Sequence, residues 1–280
     1  MCMSEINVSI VLYNTNTEQL NSLLRQLCVY DAIKTIYLID NSPKESKFEY
    51  NNKIKYIRTG KNLGYGAAHN IALGESVKDG VKYHLVVNSD IELSEGCIEN
   101  MVNYMDTDSM VASMMPKVLY PDGSLQYLCK LLPSPFDLFI RRFIPKVFFP
   151  KRRDMFELRH TGYDKIMNIP YLSGCFMLLR MSALEVVGFF DERFFLYPED
   201  LDLTRRLHKM YKTLYYPDVT IVHHHNRESY RNVKMLFIHI YNMIKYFNKW
   251  GWFFDEERKQ INIKTLSQFG EADSDKRSED

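Results

Sequence analysis

"KIKYIRTGKNLGYGAAHNIALGESVKDGVKYHLVVNSD", residues 53–90, decides the fold class. It opens on "KIKYIRT", which reads as a strand, and passes through a glycine-containing turn into the helix-like "YGAAHNIALGESVK". It ends in a second apolar strand, "YHLVVNSD". Upstream, "INVSIVLYN" and "TIYLID" read as strands on either side of "TEQLNSLLRQLCVY", a helix with Leu20, Leu23, Leu24 and Leu27 on one stripe. Downstream, "SEGCIENMVNYM" reads as a helix capped by Ser94. Strand and helix in alternation imply an α/β fold, a Rossmann-like, mainly parallel central sheet flanked by helices. Ligands of such sheets sit beyond the carboxyl ends of the strands. Asp40 ends one apolar run and Asn88-Ser89-Asp90 ends another, so two carboxylates are expected on one rim.

A chain of 280 residues, 46% hydrophobic and 25% charged, can bury a full core. A net charge of +1 argues against nucleic acid as a partner, because neutralising a phosphate backbone takes a clearly basic face. The cysteines Cys2, Cys28, Cys97, Cys129 and Cys175 are odd in number and lack a C-x-x-C pair, a pattern of buried thiols in a reducing compartment. Residues 1–7 do not read as a secretory signal. No apolar run approaches the roughly 20 residues of a spanning helix. The expected location is cytoplasmic, with peripheral contact at the cytoplasmic face of the inner membrane as an extension.

After a turn at residues 121–124 the pattern loosens. Residues 130–153, "KLLPSPFDLFIRRFIPKVFFPKRR", carry seven Lys or Arg against one acid, Asp137, with Phe, Leu and Ile interleaved. They read either as an interfacial segment for anionic headgroups or as a loop folded over the core. "YLSGCFMLLR", Tyr171 to Arg180, reads as a strand, and "TLYYPDVTIVHHH" as extended chain. A helix-like stretch from Val233 to Phe254, aromatic almost all round, either packs on the body or lies on a membrane. The polar tail from Gly270 is expected to be disordered.

Four constellations could carry chemistry. Asn62, Gly64 and Gly66 stand between a strand and a helix, and read either as a tight turn or as a loop whose backbone N–H groups approach a phosphate closely. The dinucleotide fingerprint needs a third glycine, and His69 occupies that position. Asn88 and Asp90 at a strand end read either as a turn held by an Asx or helix-cap contact or as a pair suited to a hard cation that also takes diphosphate oxygens. "YPEDLDLTRRL" crowds Glu199, Asp200 and Asp202 at a helix start; they read as dipole caps or as a source of one proton-accepting carboxylate. Arg205 and Arg206, one turn on, pair with these acids or meet phosphates. In "VHHHN", His223 and His225 point to one face of an extended chain and His224 to the other.

The ordered set "VLYN", "LIDNS", "NLGYGAAHN", "NSDIEL", "SGCFMLLR", "GFFDERFFLYPEDLDLTRRL" and "YYPDVTIVHH" resembles glycosyltransferase family 2, inverting enzymes with a GT-A fold. It is most similar to the rhamnosyltransferase-type members of bacterial polysaccharide assembly. The resemblance spans roughly Ile6 to Ser229. It implies that Asp40 contacts the donor nucleobase, and that Asn62, Gly64 and Asn70 cradle the donor, with Asn88 and Arg206 beside them. It implies Asp90 and His223 as ligands of Mg2+ or Mn2+, with Asn88 standing where the family's D-x-D motif has its first acid. It implies Asp200 as general base with Glu199 its neighbour.

The implied reaction moves a sugar, L-rhamnose from dTDP-L-rhamnose or else a UDP-hexose, to a saccharide acceptor on a polyprenyl diphosphate. O-antigen or capsule-type assembly is the expected setting. The implied organisation is a catalytic domain over 1–229, with a nucleotide-sugar half at 1–115 and an acceptor half at 116–229 carrying the 130–153 insertion. A helical region follows at 230–269, then a tail at 270–280. No oligomeric state is legible. A nucleotidyltransferase is disfavoured by "YNTNTEQ" after the first strand, where a Gly-rich, Arg-containing loop would stand. A non-catalytic sugar-nucleotide-binding module has no need of Glu199-Asp200. A histidine-carboxylate metallohydrolase lacks its H-E-x-x-H set.

Overall fold

The structure, a computed structural model, describes residues 4–138, 144, 148–224 and 233–270. Most of the expected tail, His225, Cys2 and part of the basic-aromatic insertion lie outside the described residues. The N-terminal half follows the alternation of its sequence. β1 (Ile6–Leu12), β2 (Ile33–Asp40), β3 (Ile54–Arg58) and β4 (Tyr83–Val87) pair in parallel in the order β3-β2-β1-β4. α1 (Thr17–Cys28) starts where the Asn16 side chain accepts from the Glu18 and Gln19 amides, and it buries the leucine stripe of Leu20, Leu23, Leu24 and Leu27. α2 (Tyr65–Asp79) faces the sheet with Ala68, Ala72 and Ser76, small residues that let the helix lie close.

His69, at the position of the absent third glycine, is fully buried beneath α2. Its Nδ1 lies 2.7 Å from Ser9 Oγ, which also meets His84 Nε2 at 2.7 Å. Ser76 Oγ closes the other side of His84 at 2.7 Å. Burial, with His84 alongside, drives the His69 pKa well below its ordinary value, so a neutral hydrogen-bonded ring fills the space.

The second half turns the sheet mixed. β5 (Ile91–Leu93), α3 (Cys97–Thr107), β6 (Val111–Leu119), α4 (Pro150–Phe156) and β7 (Met167–Asn168) precede β8 (Phe176–Arg180). β8 enters antiparallel between β4 and β6. α5 (Met181–Val187), α6 (Glu199–His208) and β9 (Lys212–His223) complete the order β3-β2-β1-β4-β8-β6-β9-β5, with β7 on β9. The expected Ser94 cap is not formed. α3 begins at Gly96 in the left-handed region, and Ser94 Oγ instead accepts the Thr220 amide at 3.3 Å. The expected strand from Tyr171 is shorter. Tyr171 makes only a bridge to Lys130, because the Ser173-Gly174 backbone turns toward α6 before β8 starts.

The long C-terminal helix also ends earlier than its sequence suggests. α7 (Val233–Trp250) stops before Gly251, which takes a φ of 99° that favours glycine, and α8 (Glu256–Leu266) starts at an Asp255 cap. One face of α7 packs on the body through Met243, Tyr246 and Phe247 against Leu132, Phe194 and Leu201. The other leaves Val233, Phe237 and Tyr241 exposed. Arg205, read as pairing with acids or meeting phosphates, does the first. It is 1% exposed, meets both Asp255 oxygens at 2.8 Å, and stacks over Trp250 at 4.1 Å. Asp202 binds Arg206, Lys249 and the Trp250 indole. α6 is thereby tied to the C-terminal helices.

Candidate active site

The carboxyl end of β4, the amino end of the antiparallel β8 and the start of α6 converge around Tyr65, the first residue of α2. Tyr65 Oη lies 2.9 Å from Asn88 Oδ1 and 2.7 Å from the Gly174 carbonyl. Burial, followed by the sulfur of Cys175 and the carboxyls of Glu199, Asp200 and Asp90, drives its pKa far above the phenolic range. Three acids from two distant stretches therefore act on one neutral hydroxyl. No single-segment motif pointed to Tyr65.

Asp200 is half-buried. Its Oδ2 accepts the Gly174 amide at 2.9 Å and its Oδ1 the Leu201 amide at 2.7 Å. A Cβ on Gly174 would stand 3.1 Å from Asp200 Cβ, so the absence of a side chain there is what admits the acid. Burial raises the Asp200 pKa; the Gly174 amide and the charge of Lys130 act against that rise. Lys130 is 9% exposed, stacks 4.9 Å over Tyr171, and was hidden in the sequence among the basic residues of its insertion.

Glu199 is 4% exposed, and its Oε2 is buried without a hydrogen-bond partner among the described residues. Burial and then the charge of Asp200 push its pKa up to about 8. Glu199 therefore keeps its proton at neutral pH, while the Gly174 and Leu201 amides favour the charged form of Asp200 against the burial that opposes it.

Across Tyr65 lies the other half. His223 Nε2 stands 3.5 Å from Asp90 Oδ1 and 3.5 Å from Asn88 Nδ2. Its Nδ1 is held 3.1 Å from Gln126 Oε1, and Gln126 Nε2 donates to the His223 carbonyl at 2.9 Å. Gln126 thus fixes the ring's orientation, a partner no sequence pattern signalled. His224 turns away to Glu92 at 2.8 Å. Burial opposes a charged His223, but Cys175 and Asp90 outweigh it and raise its pKa.

Asp90 and His223 together present one hard oxygen and one imidazole nitrogen at a single point. That donor set fits Mg2+ or Mn2+ only with diphosphate and water completing the shell. No group of three His, Cys, Asp or Glu fit to hold a metal occurs among the described residues.

A family model described as glycosyl transferase family 2 matches residues 13–188. The chain belongs to glycosyl transferase family 2. It is 31% identical over 198 residues to N-acetylglucosaminyl-diphospho-decaprenol L-rhamnosyltransferase of Mycobacterium tuberculosis, covering 66% of this chain. The chain spans 63% of the length of that relative. Among solved structures it is similar to TarS of S. aureus, with a TM-score of 0.55 and 15% identity over 94% of this chain and 43% of that one. It is also similar to the mannosyltransferase PcManGT of Pyrobaculum calidifontis, solved with GDP-Man and Mn2+. There the TM-score is 0.53 at 12% identity, covering 95% of this chain and 75% of that one. These likenesses place the fold in the GT-A class.

In this member of family 2, several positions expected to cradle the donor are engaged by the protein itself. Asp40 is fully buried at the end of β2. Its Oδ1 accepts the Ser42 amide at 2.8 Å, and its Oδ2 accepts the Ser46 amide at 2.8 Å and Tyr56 Oη at 2.5 Å. Burial works against its charge, but these hydrogen bonds outweigh it and lower its pKa. Asp40 therefore shapes the 42–46 loop at the end of β2.

Gly64, with φ at 89°, would place a Cβ 2.1 Å from the Phe195 carbonyl oxygen, the same oxygen that accepts the Tyr65 amide. Its freedom serves the close approach of the 189–198 loop. Asn62 is exposed, and its Oδ1 accepts the Gly64 amide at 2.9 Å. Asn70 clasps Phe190 through both its amide atoms. Arg206 spends its donors on Asp202 and on the carbonyls of Val187, Gly188 and Phe189. Asn70 and Arg206 both fasten the loop that carries Glu199 and Asp200 into the site.

Proposed function

We propose that this protein is an inverting glycosyltransferase that moves a sugar from a nucleoside diphosphate to a hydroxyl of a saccharide acceptor. The observation that carries the reading is the adjacent acid pair Glu199 and Asp200, the second aimed by two backbone amides, joined through Gly174 and the Tyr65 hydroxyl to Asn88 and its neighbours Asp90 and His223. The acceptor hydroxyl approaches Asp200, which takes its proton as the oxygen attacks the anomeric carbon. The nucleoside diphosphate departs from the opposite face, and configuration inverts. Negative charge grows on the departing oxygens. Asp90 and His223 would hold the divalent cation, which supplies charge neutralisation there when bound. The two backbone amides on Asp200 keep its carboxylate aimed without a side chain that must move. A sugar-nucleotide-binding module would have no use for a proton-sharing acid pair at the crevice.

For the donor we propose L-rhamnose from dTDP-L-rhamnose, with a UDP-hexose as the second reading. For the acceptor we propose a sugar on a polyprenyl diphosphate, in O-antigen or capsule-type assembly. The mycobacterial relative's transfer of L-rhamnose to N-acetylglucosaminyl-diphospho-decaprenol supports the sugar and the lipid-linked acceptor. No helix among the described residues is long and apolar enough to cross a membrane. Peripheral contact is favoured by the exposed Val233, Phe237, Tyr241, Phe253 and Phe254. We assign residues 1–229 to catalysis and 230–269 to that contact.

A panel of sugar nucleotides, each with Mg2+ or Mn2+, tests the reading by thermal stabilisation and donor hydrolysis. The preferred donor is expected to stabilise the protein by about 2.7 kcal/mol at a hundredfold excess over Kd. A chain that no sugar nucleotide stabilises would not be a glycosyltransferase of this kind.

A further inference from the structure

Away from the crevice, α4, the 131–137 segment and α8 enclose a cavity of about 510 Å³. That is the size of a small-molecule site. Its walls are apolar, built from Leu131, Leu132, Met155, Phe156, Ile263 and Leu266. Its rim is cationic: Lys151, Arg152 and Lys259 stand against the single acid Asp137. Arg152 is committed to Asp137 at 2.7 Å and stacks 4.8 Å over Phe136. Lys151 and Lys259 are exposed, and neither has an ion-pair partner among the described residues. The framework between them is fixed, since Asn262 exchanges two hydrogen bonds with the Leu132 backbone at 2.8 and 2.9 Å.

We propose that this groove binds the lipid end of the acceptor, an isoprenoid chain bearing a diphosphate, with the diphosphate between Lys151 and Lys259 and the chain along the apolar wall. The inference rests on the glycosyl-transfer reading and names the partner of that same site. Charge complementarity selects an anion at the rim, and the wall selects a hydrocarbon attached to it. Proximity selects the acceptor. Lys130, whose charge reaches Asp200, is followed directly by Leu131 and Leu132 of the groove. Leu132 packs in one cluster with Leu201, the neighbour of Asp200. An extended chain covers at most ~7 Å from Lys130 to Leu132, so the inner wall of the groove adjoins the residue whose charge reaches Asp200.

Calorimetric titration of the full chain with farnesyl diphosphate, inorganic diphosphate, farnesol and phosphatidylglycerol vesicles tests the proposal. Wild type is expected to bind farnesyl diphosphate at least tenfold more tightly than diphosphate or farnesol. The Lys151→Glu/Lys259→Glu double variant and Ile263→Asp are each expected to weaken that binding by roughly tenfold, one contact's worth of about 1.4 kcal/mol. Unchanged affinity in both variants overturns the proposal. So does vesicle binding that matches farnesyl diphosphate and is lost with the same substitutions. Sugar-nucleotide stabilisation of the same variants is expected to equal that of wild type, so failure of the groove and failure of the transfer reading show separately.

Discussion

Asp200→Asn is expected to lower sugar transfer by about 10²–10⁴-fold while sugar-nucleotide binding is kept. The amide oxygen can still accept one of the two backbone N–H groups that Asp200 holds, and its NH2 turns away from the other at the cost of about one hydrogen bond, about 1 kcal/mol. What the amide cannot do is take a proton from the attacking hydroxyl. Glu199→Gln serves as the discriminating companion. Glu199 is already protonated at neutral pH, so a neutral isostere replaces like with like, and its loss in rate is expected to stay below about tenfold. Single-turnover transfer rates, set beside donor-induced thermal stabilisation, measure both. Equal losses in the two variants would remove Asp200 from its role.

Arg205→Ala is expected to cost about 3–5 kcal/mol of stability in urea unfolding. Its guanidinium is 1% exposed and holds Asp255 bidentately, with Glu257 at 3.0 Å. Removing it leaves the Asp255 carboxylate buried without that counter-charge. The pH dependence has a definite sign. Burial works against the charge of Asp255, but the Arg205 contacts outweigh it and hold its folded pKa below the unfolded value. The stability this lends is whole above the unfolded carboxylate pKa, about 3.9. It is lost as pH falls through the folded one. The gap between wild type and Arg205→Ala is therefore expected to narrow below pH ~4. A loss under about 1 kcal/mol at neutral pH would show the pair to be no stronger than a surface one.

The parallel half of the sheet was legible because its strands and helices alternate with clean periodicity, and Asp90 and Asp200 were legible as acids at element ends. Other features depend on contacts that a linear pattern does not carry. β6 contains "MMP", whose Pro116 sits at a shift of register, so it lacks the alternation of an ordinary strand. The stop of α7 at Gly251 is masked by the aromatics around it, and α8 matters for its long-range hold on Arg205. Asp40 stands at its predicted strand end, yet its direction is set by the Ser42 and Ser46 amides and Tyr56, which wrap over it after the strand is complete. Tyr65, Lys130 and Gln126 belong to the site only because of where distant segments meet. Each is unremarkable in its own stretch.

The anomeric configuration of the first-formed product, read by proton NMR with the donor that the panel selects, tests in-line displacement most directly. A single displacement assisted by Asp200 predicts a linkage inverted relative to the donor. A product that keeps the donor's configuration would contradict it.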